Sequence, residues 1–139
     1  MIEFNYEIDF VLKSESYYAD WLSRIIRSET KNLGSLNYVF CSDEYLLDMN
    51  IKYLNHDTYT DIITFDYCEG DKIAGDIFIS IDRVKDNAIE FGVDFEEELH
   101  RVMAHGVLHL VGYKDKSEMD SVLMRKKEDE KIKLFHVEH

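Results

Sequence analysis

One stretch, HGVLHLVGYKD at residues 105–115, organises both the fold and the function of this chain. His105 and His109 lie four residues apart, so on an α-helix they share one face and both rings can reach one divalent ion. Gly112 is placed to end that helix, because a glycine past the last turn adopts a left-handed conformation at little cost. The reversed chain then brings Asp115 back toward the two histidines. The stretch therefore predicts a helix-borne metal centre with these three side chains as ligands.

The ligand set indicates a catalytic rather than a structural ion, since three protein ligands leave the fourth tetrahedral position of zinc to water. One Zn²⁺ is the first choice, although two imidazoles and a carboxylate also suit iron, nickel or manganese. Gly106 stands where zinc peptidases of the His-Glu-x-x-His type have their glutamate, which disfavours peptidase chemistry. A zinc amidase, or histidines that are simply half-buried at an accidental spacing, remain alternatives.

Two neighbours of the histidines also call for an explanation. Gly106 lies inside the predicted helix, where glycine costs about 1 kcal/mol relative to alanine. We therefore expect a strand or a substrate to pack closely there. His100 is either a surface residue of the first turns or a functional one. Along the same helix, the predicted buried side consists of Leu99, Val102, Met103, Gly106 and Leu110.

Two further blocks support a family resemblance. TDIITF at 60–65 is similar to a Thr-Asp-Val-Leu-Ser-Phe strand, and GDIFIS at 75–80 to a Gly-Asp-Ile-x-Ile-Ser strand, of the bacterial YbeY family. Residues 105–115 resemble the metal motif of the same family. The resemblance implies a single-strand-specific, metal-dependent endoribonuclease that acts in maturation of the 3′ end of small-subunit ribosomal RNA and in ribosome quality control.

The chain departs from the family pattern at three positions. Asp115 replaces the usual third histidine, which lowers the charge of a divalent site from +2 to +1 and weakens the ion as a Lewis acid. Leu54 stands where the family commonly has an arginine associated with activity, and Tyr59 stands where it has proline. These departures keep an alternative open, namely a ribosome-assembly binding factor whose metal is mainly structural.

The resemblance implies that His105, His109 and Asp115 act through a metal-bound water. His56, in the loop before the 60–65 block, is a further candidate for contacting RNA or transferring a proton. Asp61 and Asp76 lie in the two strand blocks. We expect structural roles for both ahead of catalytic ones, because buried carboxylates are common in hydrogen-bonded networks.

Composition predicts one domain spanning residues 1–139. The chain is 45% hydrophobic and 32% charged, as soluble globular proteins are. It has no apolar run of membrane-spanning length and no secretory signal, so we expect a cytoplasmic protein without a membrane partner. Its two cysteines, Cys41 and Cys68, form no disulfide framework and are expected to be buried thiols.

The formal net charge of −13 is unusual for a protein that holds RNA by itself, because phosphate neutralisation normally supplies most of the affinity. We therefore expect the partners to be ribosomal RNA presented by the ribosome and basic proteins of the small subunit, with a ribosome-associated GTPase as a further candidate.

Periodicity predicts an α+β fold, a small mixed four-stranded sheet packed with about five helices, and the resemblance places the metal site at the end of one helix in a cleft. The first helix should bury its aromatic stripe, and the last should bury five apolar residues while the run 126–131 is solvated. The predicted elements are strands 2–10, 36–41, 61–67 and 73–80, helices from Ser14 to before Gly34 and from Ser42 to Leu54, one capped by Asp82 and ending at Gly92, one begun by Asp94, and one at 117–135 with Met119, Val122, Leu123, Ile132 and Phe135 as its apolar positions.

Overall fold

The computed structural model describes residues 1–135 and contains, within that range, four strands and five helices. It confirms the predicted α+β class. The elements are β1 (Ile2–Tyr6), α1 (Glu15–Ser28), β2 (Asn32–Cys41), α2 (Asp43–Leu54), β3 (Ile62–Asp66), β4 (Lys72–Ser80), α3 (Ile81–Phe91), α4 (Phe95–Val111) and α5 (Glu118–Phe135).

The four strands form one mixed sheet in the order β1-β2-β4-β3. β1 pairs with β2, and β2 with β4, in parallel, while β3 and β4 form an antiparallel hairpin. Parallel neighbours need a crossover, and α1 supplies it between β1 and β2. Parallel and antiparallel pairing together confirm the predicted mixed four-stranded sheet.

β1 is shorter than the alternation of residues 2–10 predicted. Its last paired residue, Tyr6, lies opposite Phe40, and Glu7 adds only one backbone hydrogen bond to the Phe40 carbonyl. β2 ends at Cys41 because Ser42 caps α2, so no partner strand remains beyond that point. Ile8 and Phe10 still pack against the core, which explains why their pattern looked like a strand.

The helix starts were predicted with mixed success. Ser42 caps α2 as expected, since its hydroxyl accepts from the Tyr45 N–H at 3.1 Å. The cap of α3 is Ser80 and not Asp82, whose carboxylate instead accepts from the Asp43 N–H at 3.0 Å. Asp94 begins α4 without a side-chain cap bond. The bond between Asp43 and Asp82 joins the start of α2 to the start of α3.

α4 is the central helix and contacts α1, α3, α5, β3 and β4. All five residues predicted for its inner side are buried. Gly106 explains how closely it approaches the sheet, because a Cβ at this position would lie 3.0 Å from the Ile62 Cδ1 and Ile77 Cγ2 atoms. The close neighbour expected at this glycine is therefore the strand pair β3 and β4.

α1 buries the aromatic stripe as predicted, with Tyr18 and Trp21 in the core. The prediction for α5 was wrong for three of its five apolar positions, and the other two, Ile132 and Phe135, are half-buried. Met119, Val122 and Leu123 are exposed, whereas Met124, Glu128 and Lys131 are buried, followed one turn later by the partly buried Phe135. These last four residues follow the spacing i, i+4, i+7, i+11, which is one helix face. Two of the six residues of the charged run 126–131, Glu128 and Lys131, are therefore buried, and the run is not a fully solvated face.

The buried Lys131 of α5 is paired with residues at the end of α1. The Lys131 ammonium lies 2.7 Å from Glu29 and 2.9 Å from the Ser28 hydroxyl, and the residue is 1% exposed. Glu29 also accepts from the Tyr113 hydroxyl at 2.5 Å. Burial by itself would raise the pKa of Glu29, but these donors outweigh it and lower the pKa. The ionised Glu29 carboxylate thus connects the end of α1 with α5 and with the residues that follow α4.

The expectation of buried thiols is confirmed for one of the two cysteines. Both cysteines are free thiols; Cys41 is buried, which raises its pKa to about 12, while Cys68 is only half-buried. Among residues 1–135, no helix is long and apolar enough to cross a membrane.

We predict that Lys131→Met destabilises the protein by about 2 kcal/mol, because it leaves the half-buried Glu29 carboxylate without its nearest cation and with only Lys127 nearby. Denaturant unfolding followed by circular dichroism measures the change. The control is Lys133→Met on the exposed side of the same helix, which should change the free energy of unfolding by less than about 0.5 kcal/mol. Equal effects of the two substitutions would contradict the role of this network.

Candidate metal centre

The end of α4 turns the chain back toward its own last turn. Gly112 has a φ of 124°, and its N–H donates to the Leu108 and His109 carbonyls. The Tyr113 N–H also donates to the Leu108 carbonyl, at 3.0 Å. These bonds close the helix with a glycine as predicted. They direct the following residues, and with them Asp115, over the histidine-bearing face.

Three candidate ligand atoms converge there. The Asp115 Oδ2 atom lies 3.2 Å from His105 Nε2 and 3.3 Å from His109 Nε2, and one donor atom of each residue lies within 4.8 Å of the others. Zinc bonds of 2.0–2.1 Å in a tetrahedron place ligand atoms roughly 3.3 Å apart. The separations of the carboxylate from both imidazoles therefore fit one tetrahedral ion.

Hydrogen bonds at the other ring nitrogens orient both imidazoles. His109 Nδ1 lies 3.0 Å from the Tyr113 carbonyl oxygen, which can only accept, so Nδ1 carries the proton. His105 Nδ1 donates in the same way to Glu128 Oε2 at 2.6 Å. In each neutral ring the lone pair is then on Nε2, the atom that faces Asp115. Such outer partners orient metal-binding histidines in known sites.

The electrostatics of the cluster favour a cation. Two imidazole lone pairs and a carboxylate oxygen at these separations repel one another unless positive charge lies between them. In the protein alone, burial would lower the pKa of His105, but Glu128, Asp115 and Asp61 outweigh it and raise the pKa. A divalent ion would supply the positive charge more directly. The residues present thus suit a metal on geometric and electrostatic grounds.

His105 and Asp115 also line a cleft of about 330 Å³. Asp61 lines it as well, and burial raises the pKa of this carboxyl group, an effect only partly offset by His105. The other nine residues that line the cleft come from α3, α4 and α5: Asn87, Phe91, Glu98, Arg101, Val102, Ser121, Met124, Arg125 and Glu128.

Sequence reasoning missed Glu128 of α5, which holds His105, and Arg101 of α4, which in turn holds Glu128. Glu128 is 6% exposed, and it accepts both from His105 and from Arg101 Nη1, the latter at 3.0 Å. Arg101 also donates to Asp129 at 2.8 Å. The available signals were the buried spacing that links Met124 to Glu128, and the position of Arg101 one turn before His105. Glu128 lies in the run 126–131, which the sequence analysis interpreted as a solvated face.

The other candidates lie apart from the cluster. Asp76 is on β4 between Gly75 and Ile77, so its side chain points away from the α4 face of the sheet. His56 is exposed in the loop after α2 and does not line the cleft. His100 is buried, and its Nε2 atom lies 3.1 Å from the Tyr18 hydroxyl, which makes the surface alternative wrong. Its ring packs against Phe135 and Trp21.

Fold and site together define a class of protein: a small α+β domain with a candidate centre for one divalent ion at a helix end beside a cleft. A sequence model described as endoribonuclease YbeY matches residues 4–136. The chain belongs to the endoribonuclease YbeY family.

Curated relatives support this membership along the whole chain. An endoribonuclease YbeY of Flavobacterium johnsoniae is 63% identical over 138 residues, covering 99% of both chains. That of Flavobacterium psychrophilum is 64% identical, covering 99% of this chain and 98% of the relative. A solution structure of a Thermotoga maritima protein superimposes with a TM-score of 0.68 at 28% identity, covering 97% of this chain and 89% of the other.

We predict that Glu128→Gln weakens Zn²⁺ binding about tenfold or more, because the His105 ring loses its anionic hydrogen-bond partner. Competition with a chelating dye measures the dissociation constant. Asp129→Asn is the matched control, since Asp129 shares Arg101 with Glu128 but does not contact His105. Unchanged affinity in Glu128→Gln, or an equal loss in Asp129→Asn, would contradict the orienting role.

Proposed function

We propose that this protein is a single-strand-specific, metal-dependent endoribonuclease in which His105, His109 and Asp115 hold one Zn²⁺ or a similar divalent transition-metal ion. The observation that carries the proposal is the convergence of their three donor atoms beside a cleft, in a chain of the YbeY family. The relatives are named endoribonucleases, which supplies the reaction class.

When bound, a divalent ion supplies a Lewis acid for a phosphodiester and lowers the pKa of coordinated water. The chain's own groups prepare the site for it. Glu128 and the Tyr113 carbonyl keep both Nδ1 atoms protonated, so both Nε2 atoms are free to coordinate. Burial raises the pKa of Asp61, which suits a carboxyl group that exchanges protons with water in the cleft. His56 is retained as a candidate RNA contact.

We also propose the biological setting implied by the family: maturation of the 3′ end of small-subunit ribosomal RNA and ribosome quality control in the cytoplasm, with residues 1–139 acting as one domain. The alternative of a ribosome-assembly factor with a mainly structural metal is not favoured. The relatives of this chain are named as enzymes. In addition, Asp115 is exposed at the cleft and does not belong to the hydrophobic core around α4.

The central test compares cleavage of single-stranded RNA by zinc-loaded wild type, His109→Ala and Asp115→Asn. Loss of a ligand should cost at least about a hundredfold in rate, more than the loss of an outer partner. Glu118→Gln, an exposed acid near Asp115, is the control and should cleave normally. Equal cleavage by wild type and His109→Ala would refute the proposed centre.

Chelation separates the two metal roles within the same experiment. A chelator should abolish cleavage and leave the far-ultraviolet circular dichroism of the wild type unchanged. Loss of the fold together with the metal would instead support the structural alternative.

The net charge of −13 leads to a proposal about partners. Long-range repulsion opposes capture of free RNA, so we propose that the ribosome presents the RNA and that basic small-subunit proteins, with a ribosome-associated GTPase as a further candidate, dock on the acidic surface.

We predict that tagged protein retains small subunits but little naked ribosomal RNA at about 0.15 M salt. Quantitative pull-down measures both, and tight salt-sensitive binding to naked RNA alone would contradict the prediction.

A further inference from the structure

The cleft beside the ligand cluster is rich in acid. Besides Asp115, its walls carry Asp61, Glu98 and Glu128. Burial, followed by the neighbouring Asp61 charge, raises the pKa of Glu98, so these groups already repel one another. An RNA phosphate that enters this cleft needs positive charge from the protein as well as from an ion.

The two arginines of the cleft differ in availability. Arg101 is already engaged, with Glu128 at 3.0 Å and Asp129 at 2.8 Å. Arg125 is exposed. Among residues 1–135 its guanidinium forms no hydrogen bond and no ion pair within 4.0 Å. Its charge acts on Glu98 only at longer range. Arg125 therefore has its donors available for a ligand.

Helix geometry puts Arg125 within reach of the ligand cluster. Ser121, Arg125 and Glu128 line the cleft from α5 at the spacing i, i+4, i+7, which is one face of the helix. Residues three apart have Cβ atoms roughly 5–6 Å apart. Arg125 is thus one turn from Glu128, which itself contacts His105. When one RNA phosphate lies at the His105, His109 and Asp115 cluster, the Arg125 guanidinium can contact the neighbouring phosphate.

Charge distribution along the chain supports approach from this side. Residues 114–133, which include most of α5, contain seven Lys or Arg against six Asp or Glu. The rest of the chain contains nine Lys or Arg against 23 Asp or Glu. A polyanion is therefore repelled least over α5, on the rim where Arg125 lies.

We propose that Arg125 is a substrate-binding residue that holds a phosphate of single-stranded RNA at the α5 rim of the cleft, beside the phosphodiester to be cleaved. This inference rests on the proposed endoribonuclease function. Arginine suits the role because its planar fork can donate two parallel hydrogen bonds to phosphate oxygens.

The test measures cleavage and binding of one short single-stranded RNA by zinc-loaded wild type, Arg125→Ala and Arg125→Lys. Binding is followed by fluorescence anisotropy in the His109→Ala background. Arg125→Ala should lower kcat/KM about tenfold, the loss of one charge-assisted hydrogen-bonded contact. It should also reduce the slope of log K against log salt by about 0.7, as expected for one phosphate contact on a single strand. Arg125→Lys should keep the slope and recover part of the rate.

The matched control is Arg27→Ala, which removes another exposed arginine, from α1 and outside the cleft. It should leave both the slope and kcat/KM within about twofold, and all variants should retain the wild-type unfolding midpoint because neither arginine is buried. If wild type cleaves RNA and Arg125→Ala matches it in rate and slope, the inference about Arg125 is wrong while the proposed function stands. If wild type neither cleaves nor binds RNA, both are wrong.

Discussion

Close packing of α4 on the sheet at Gly106 is the constraint on which the site depends. Because Gly106 has no Cβ, the helix backbone can approach Ile62 and Ile77. A Cβ at this position would lie 3.0 Å from both side chains. His105 precedes this glycine, and His109 follows one turn after His105 on the same face. Their positions are therefore set by the contact between a helix and two strands, not by a loop. A rigid element of this kind holds ligands more precisely than a flexible one.

α5 completes the site with charges that most helices expose. Glu128 ties this helix to His105, and Lys131 ties it to Glu29, which in turn accepts from Tyr113 just after α4. Each buried charge has a partner within hydrogen-bond distance. Removing one partner would leave the other desolvated, so these pairs hold α5 in a single position more strictly than its few apolar contacts could.

The sequence predicted features that follow from spacing and missed those that follow from pairing. The four-residue separation of His105 and His109, the glycine after the helix and the inner face of α4 can all be read from one chain, because they are local periodicities. The buried role of Glu128 and Lys131 could not, because their partners are distant in sequence. Likewise, the length of β1 depends on where β2 ends. Apolar patterning alone favoured the wrong face of α5, since its interior residues are mostly charged.

The two imidazoles differ in what could disturb them during evolution. The partner of His105 is the Glu128 carboxylate, so a single nucleotide change in the codon of Glu128 can remove the hydrogen bond that orients the ring. The partner of His109 is the main-chain oxygen of Tyr113, which every amino acid at that position would still provide. The orientation of His109 is therefore insensitive to substitution of its partner. Natural variation in the metal affinity of the candidate centre should arise mainly at Glu128 of α5.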